Sequence, residues 1–588
     1  RHAVLAALGK PKGSFDQDCA DVKCIRERIG KIVNAASLNP VDDGDISTPL
    51  RADLMIGWAN LTGDPGKQIL PWLKQGAPSG ILRHIPSTGI FPDKEAEPTA
   101  SLEEVLAEQV AMDGNYSSLE DDEDADEIMN DILDPKKRWV RTFDTKAALK
   151  TYLGGDPVVS PLGLVTKHKR DAAGAIVSTK KRIILDAKRS RANELARSSH
   201  RLLLPRPHHA VDSTLQVQRA LRARLRLLRN ARKPHNKQSV EMLVADYVDA
   251  YWAIPLHHRE RRFQVFHWRG RWAVLLRTGQ GTKESSLTWG LVSALCGRMG
   301  QSMFASFELL LQIYTDDPWA IVSGSTEERD VRMCCLLSLW MVLGLGVAFH
   351  KAKRGCDLVW IGVRYVLQPD GVDVTVSDEL LDDVSGAIDV MLAANRISVT
   401  DLRRLAGQAN HIAGLVLAWR PFLSDFWGAL RKASIVSSGS GQFVWTRQVY
   451  ATLLWLRAFL DHRRGTMIRS YRLRHHFNEA VCLTVAFDAG PRGIGGILLL
   501  GVVIIAFFSD ALPSLDAARF GHALGDCNGQ QTWEALALLV ALRLWRSHWC
   551  SQRFRVVVQG DSMTALHMLL DIKTKSETNN LLARELAL

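Results

Sequence analysis

The sequence predicts an α+β, multidomain chain. Its 588 residues, 46% hydrophobic and 23% charged, are ample for several cores, and length alone suggests about three or four domains. Two patterns set the class. Short apolar runs flank an Asp-Asp pair at Asp316 and Asp317, as two strands joined by a tight acidic turn would. Residues 375 to about 470 are helical by pattern, and beyond them strands and helices alternate.

Net charge is +11 and the pI near 9.2, so a polyanionic partner is plausible. The nine cysteines show no Cys-x-x-Cys pair and no Cys/His knuckle spacing, so they read as reduced thiols of an intracellular protein, nuclear or cytoplasmic, without structural zinc. No apolar run approaches the ~20 residues of a membrane span. The chain starts at Arg1 rather than Met and is expected to be a fragment.

Residues 1–137 are the least legible. Helices are expected at Ile25–Ala36 and within Asp53–Leu73, with turns at Pro65-Gly66, Pro78-Ser79-Gly80 and Pro86–Gly89. The acidic run Ser118–Glu127 reads as a solvated linker that repels itself open, and a boundary is placed there. From Pro161 to Lys169 apolar and basic residues alternate; Gly174 marks a turn; Lys180–Arg189 returns. That is a hairpin carrying cations. Arg219–Lys237 places Leu221, Leu225 and Leu228 on one helical face and arginines around the rest, stopping at Pro234. It reads equally as a solvated helix or one facing nucleic acid.

Leu243–Trp252 reads as a strand delivering Asp246, then a turn with Tyr251 and Trp252. Asp249 either caps that turn or binds metal. Two strands follow around Gly270. Gly279–Ser286 is a glycine-bearing loop before an apolar helix from Leu287 to about Phe307. Next come Ile313–Trp319, in which Pro318 biases Asp317 towards extended backbone and should end the turn. Adjacent carboxylates repel unless a cation neutralises them, and hard oxygen ligands suit Mg²⁺. Asp246 with Asp316 and Asp317 makes a cluster able to hold two divalent ions, as in-line nucleotidyl transfer requires.

A helix is expected over Glu327–Leu345, then Lys351, Lys353 and the strand-like Leu358–Val363. Further helices are expected at Glu379–Ala394, Thr400–Trp427 (capped by Thr400 or Asp401) and Thr446–Asp461. Arg403, Arg404, His411 and Arg420 suit phosphate contact or plain solubility. In the last stretch Gly501 splits the apolar run Ile497–Phe508 into two strands. A strand ends in Asp488, a helix carries Glu534, and another strand ends in Asp561.

The order Asp246-x-x-Asp249-Ala250-Tyr251, Gly281-x-Lys283, Tyr314-x-Asp316-Asp317 resembles the reverse transcriptases. It looks most like the polymerases of retrotransposons with a tyrosine recombinase, over about residues 140–588. The resemblance implies a right-hand polymerase (fingers, palm, thumb) followed by an α/β RNase H-like domain. It divides the chain into 1–137 of unread role, 138–372 fingers and palm, 373–475 thumb and connection, and 476–588 RNase H-like, ending short of the family's fourth acid.

The implied activity is RNA-directed DNA synthesis with two Mg²⁺ (or Mn²⁺) per active site and a dNTP substrate. The implied partners are an RNA template, a DNA primer and the RNA–DNA hybrid, with no membrane. Asp246, Asp316 and Asp317 would be catalytic and metal-binding. Lys167, Lys169, Arg182, Tyr251, Gln280, Gly281, Lys283 and Lys353 would bind nucleotide, with Arg182 clamping the triphosphate, Tyr251 gating the sugar and Lys353 a candidate general acid. Asp186 matches a template-positioning residue, and Leu358–Val363 a hairpin that grips the primer end. Asp488, Glu534 and Asp561 would hold the RNase H metals. Ser286 stands where the family has proline. The alternative reading is a non-enzymatic, nucleic-acid-binding relic of a mobile element. Oligomeric state is not legible.

Overall fold

The computed structural model describes residues 2–109, 114–170, 176–230, 238–279, 281–436, 443–462, 466–477, 479–550, 553–574 and 576–587. The mixed α+β class expected from the sequence is the one observed. The chain forms two compact units, Arg1–Ser213 with Ala220–Cys356 and Thr214–Arg219 with Asp357–Leu588. The division at 356/357 falls inside the expected 138–372 domain. Its cause is strand pairing: Asp357–Trp360 and Val363–Gln368 form a sheet with Gly371–Val376 and Arg469–Arg472.

In the first unit, α1 (Ala20–Ile32) buries Val22, Arg26 and Gly30 at helical spacing. Residues before 137 are not a separate body. Leu50, Leu54, Leu73 and Ile85 share one core with Leu243, Trp289 and Leu336. The expected acidic linker is corrected too. It folds as two short helices, Ser117–Glu120 and Ala125–Ile132. Lys181 donates to Asp122 at 2.8 Å and to Asp124 at 2.6 Å, so opposite charge offsets the self-repulsion.

The basic hairpin forms as expected. β1 (Leu162–Arg170) pairs with β2 (Ile176–Leu185) from Leu162↔Leu185 onward. Its turn, residues 171–175, lies outside the described residues. The arginine-rich helix spans Pro207–Asn230, opening on a proline suited to a first turn; residues 231–237, with Lys233 and Pro234, are likewise outside.

The central sheet is built from β3 (Ser239–Val244), β4 (Leu309–Tyr314), β5 (Asp317–Gly324) and β6 (Lys353–Gly355), in the order β4-β5-β3-β6, all antiparallel. The helices α2 (Ser285–Ser302) and α3 (Thr326–Val342) share its core through Trp289, Leu295, Leu336 and Trp340. Each such buried side chain contributes about 2 kcal/mol. A capping box between Ser325 and Glu328 starts α3.

In the second unit, Ile361 and Gly362 both have positive φ, the signature of a type I′ hairpin turn, between Asp357–Trp360 and Val363–Gln368. The single helix expected over Thr400–Trp427 is two, Val399–Leu415 and Leu423–Val436. Between them Leu417–Phe422 tightens to a 3₁₀ turn containing Pro421, which cannot continue an α-helix. The cap is Ser398, whose Oγ accepts from the Asp401 N–H at 3.0 Å, not Thr400 or Asp401. The last sheet joins β7 (Cys482–Gly490), β8 (Gly493–Leu500), β9 (Val503–Ala511) and β10 (Arg555–Gln559), in the order β9-β8-β7-β10, with β7 and β10 parallel. Gly501 has φ +62° at the β8–β9 turn, as expected. The helix α4 (Gln530–Leu544) packs on this sheet through Trp533 and Leu538, with Trp545 packing just past its end. Among the described residues no helix is long and apolar enough to cross a membrane.

Arg26 is only 6% exposed. Its Nε donates to the Val342 carbonyl at 3.0 Å, at the end of α3 where intrahelical donors run out, and its NH2 adds a bond to the Met341 carbonyl at 3.1 Å, which also accepts from the Gly344 N–H. Asp18 completes it at 2.8 Å. Arg26→Met is expected to cost about 2 kcal/mol, read as an earlier thermal unfolding transition of the full chain.

Candidate active site and a second acidic site

Asp246 lies two residues past the end of β3, and the backbone holds it from both sides. Ala245 N–H donates to Pro318 at 3.0 Å and Tyr247 N–H to Asp316 at 2.9 Å. On the other side, Val248 N–H donates to Gly346 and Ala348 N–H to Asp246, each at 2.8 Å. Asp246 thus sits between the β4–β5 hairpin tip and the loop ahead of β6.

The hairpin tip is tighter than expected. Tyr314 pairs with Asp317, so the loop is Thr315-Asp316 and Pro318 already lies in the ladder opposite Ile313. As the second residue of β5, Pro318 gives up a donor but its carbonyl still accepts. Thr315 has φ +57°, a left-handed conformation that a β-branched residue adopts at a cost of about 1–3 kcal/mol. Two donors from α2 hold its carbonyl, Trp289 Nε1 at 2.8 Å and Ser293 Oγ at 3.0 Å.

Asp246, Asp316 and Asp317 line one cavity of about 650 Å³ with Tyr251, Lys180, Arg182 and Lys351. Burial, then the charges of Asp316 and Asp246, pushes the Asp317 carboxyl up to about 6. Burial also raises Asp316, where Asp246 adds to the effect while Arg182 and Lys351 oppose it. Lys351 Nζ donates to Asp246 Oδ2 at 2.5 Å. Burial, with Arg182 and Lys351 nearby, lowers Lys180. These are repelling carboxylates held by backbone geometry beside cations, and their oxygens do not all lie within 4.8 Å of one another.

The other expected nucleotide-binding residues are dispersed. Arg182 and Tyr251 line the cavity. Tyr251 shares a hydrogen bond with the side chain of Ser286. Lys167 is exposed on β1 opposite Lys180; the Lys169 side chain and all of Gln280 lie outside the described residues. Gly281 has φ +108°, and a Cβ there would stand 2.1 Å from the Leu185 carbonyl. It therefore serves a close backbone approach to β2. Lys283 is turned to structure, its N–H donating to Asn193 at 2.7 Å and its Nζ to the Ala196 carbonyl at 3.1 Å. Lys353 is exposed at the start of β6. The lysine at the acids is Lys351, because the Ala348–Asp246 backbone bond brings that part of the loop to the cavity.

Asp249 lies in the left-handed region at φ +51° and lines the cavity, its carboxyl raised by burial. Asp186 accepts from the N–H groups of Lys188 (3.1 Å) and Arg189 (2.9 Å) and from the Tyr116 hydroxyl (2.7 Å), which makes it a turn cap. Sequence reading passed over Lys180, Lys351, Trp289 and Ser293. For Lys180 the alternation with Arg182 on one strand was a usable signal; nothing local marks the other three.

In the second unit, Asp488 on β7, Glu534 on α4 and Asp561 after β10 come together as expected. Their ligand atoms all lie within 4.8 Å of one another, the one such set among the described residues. The parallel β7–β10 pairing, Ala486 opposite Gln559, brings the two strand-end acids to the same edge. Glu534 is 3% exposed, and its Oε2 is buried without a hydrogen-bond partner. Gln530 Nε2 donates to Oε1 at 3.0 Å. Burial first, then Asp561 and Asp488, raises the Glu534 carboxyl. A buried acceptor left unpaired costs about 1–3 kcal/mol, and a cation among these oxygens would relieve it.

No family model matches the chain, and no curated protein matches it. Among solved structures it is similar to the foamy viral protease-reverse transcriptase. With double-stranded DNA, that enzyme's dRH form gives 14% identity over 98% of this chain and 81% of the other, TM-score 0.42. A second double-stranded DNA complex gives 15%, 92% and 90%, TM-score 0.41. The complex with RNA/DNA hybrid gives 13%, 95% and 61%, TM-score 0.42.

Folded, Asp317 holds its proton up to about pH 6, whereas an ordinary carboxyl releases it near 3.8. The folded state then binds more protons than the unfolded state between these values, so stability falls as pH rises from about 4 to about 6 and levels above. Measured without divalent cations, the melting temperature of the unsubstituted chain should drop relative to Asp317→Asn across that window. Parallel curves would contradict the raised carboxyl.

Proposed function

We propose that this chain is an RNA-directed DNA polymerase of a retrotransposon, of the kind that carries a tyrosine recombinase, with an attached RNase H. One observation carries the reading. Three carboxylates from two distant stretches, Asp246 and Asp316–Asp317, meet in a cavity that Lys180 and Arg182 of the basic hairpin also line. Resemblance at the sequence level supports the subtype. On this reading residues 138–372 are fingers and palm, 373–475 thumb and connection, and 476–588 the RNase H-like domain, in an intracellular protein.

Asp246, Asp316 and Asp317 would hold two Mg²⁺ or Mn²⁺, which when bound supply charge stabilisation at the transferring phosphorus and lower the pKa of the primer 3′-hydroxyl. The raised carboxyls fit that role, since cations favour the ionised form. The chain's own groups do the rest by position and charge. Arg182 offers a planar fork and Lys180 a point charge to the triphosphate of an incoming dNTP. Tyr251 stands at the cavity wall, held by Ser286, where a ring would exclude a 2′-hydroxyl. Lys351, at Asp246, takes the place given to Lys353 by sequence as the candidate proton donor to the leaving group. The net charge of +11 suits an RNA template with a DNA primer, gripped by backbone phosphates. Asp488, Glu534 and Asp561 would hold the cations of an RNA-cleaving site acting on the RNA–DNA hybrid.

Primer extension on an RNA template with labelled dNTP and Mg²⁺ tests this. Asp316→Asn should lower extension by at least about 10³-fold and leave salt-sensitive binding of the template-primer intact. Extension unchanged in that variant would refute the assignment. Hybrid binding without extension in the unsubstituted chain would leave the relic reading. Asp561→Asn should abolish cleavage of the RNA strand without slowing extension; equal cleavage in both chains would remove the second site from the reaction.

A further inference from the structure

We propose that the segment Gly9–Gln17 is a working part of the cavity, and that Lys12 is carried by it to the terminal phosphates of the incoming nucleoside triphosphate. This rests on the polymerase reading above and adds to it a cation from a region that no sequence motif marks.

The segment is docked on either side of Lys12. Before it, the Gly9 N–H donates to the Phe349 carbonyl at 2.7 Å. After it, Phe15 packs against Phe349 with ring centroids 5.1 Å apart. Gln17 then makes a two-way bond with the Val347 backbone, donating to its carbonyl and accepting from its N–H, each at 2.8 Å. Asp18 and Arg26 continue the attachment to the end of α3. The contacts of Gly9, Phe15 and Gln17 all fall on Val347–Phe349, the stretch whose Ala348 N–H donates to Asp246 and which leads into Lys351.

Lys12 itself lines the cavity with Asp246, Asp316 and Asp317. It acts on Asp249 together with Lys351 and Lys137, which puts it at the Asp249 side of the cavity. Of the other lysines lining it, Lys351 is paired with Asp246 and Lys181 with Asp122 and Asp124, while Lys180 stands with Arg182 on the basic hairpin; Lys137, nearby, is paired with Asp131 at 2.6 Å. Among the described residues no carboxylate stands within ion-pair distance of Lys12. An unneutralised ammonium at the edge of a nucleotide-sized cavity favours a polyanion. The turn from Asp246 to Tyr251 separates the acids from the ring read as the sugar gate, and a triphosphate spans that interval. Because both ends of the segment are anchored, the lysine arrives with less backbone freedom to lose on binding.

The test compares the full chain with Lys12→Ala and Lys12→Arg; Lys12 is exposed, so neither change disturbs a core. In primer extension, Lys12→Ala should raise KM for dNTP about fivefold to tenfold, the loss of one charge-assisted contact. Its kcat and its affinity for template-primer should stay within about twofold, and Lys12→Arg should restore most of the loss. An unchanged KM, or weakened template-primer binding in place of a KM effect, overturns the proposal. Calorimetric titration with a non-hydrolysable dNTP analogue and Mg²⁺ gives an answer independent of turnover. Weaker binding by Lys12→Ala supports the role even if no chain extends primers, in which case polymerisation is what fails. Equal affinity, or no binding by the unsubstituted chain, overturns it.

Discussion

The first unit depends on a backbone ladder that runs past its own strands. β3 pairs with β5 from Ser239↔Gly324 to Val244↔Trp319, and two further bonds, Ala245 to Pro318 and Tyr247 to Asp316, carry the pairing to the hairpin tip. Antiparallel register then leaves no choice about where Asp246 goes. It must lie beside Asp316 and Asp317 although these carboxylates repel. The attraction that compensates is not between the acids. It comes from the fully buried faces beneath them, Trp289, Trp319 and Trp340, and from Tyr247 packed edge-on to Trp289 and Trp340.

The electrostatics follow from that constraint. Carboxylates that cannot move apart respond in two ways. Asp317 binds a proton more tightly, and Asp246 takes an ammonium from Lys351. The surrounding cations are sorted by what already neutralises them. Lys181 is tied to the acidic helices, and Lys351 to Asp246. Lys180 and Arg182 are the hairpin's cavity-lining cations, and Lys12 joins them from the amino-terminal segment. Strain is handled in the same local way, with the left-handed Thr315 carrying a carbonyl that Trp289 and Ser293 hold.

The second unit reaches a comparable result by different means. Two parallel strands present Asp488 and Asp561 at one edge, while α4 supplies Glu534 from its buried face. Here the convergence is closer, and the cost is visible as one unpaired buried oxygen.

Much of this was legible in the sequence. The acidic hairpin, the basic hairpin, the split at Gly501 and the strand–helix–strand order of Asp488, Glu534 and Asp561 all rest on local alternation and turn chemistry, which a short window contains. What tertiary structure alone decided is which distant groups meet. Whether Lys351 or Lys353 reaches Asp246 depends on a bond from Ala348. Whether an acidic run repels itself open depends on Lys181 lying across from it. Whether residues before 137 form a body of their own depends on Arg26 finding the end of α3 and Leu54 finding the central core. Periodicity states which face of an element is apolar; it cannot name the element that covers that face, because that partner is selected by the packing of the whole chain.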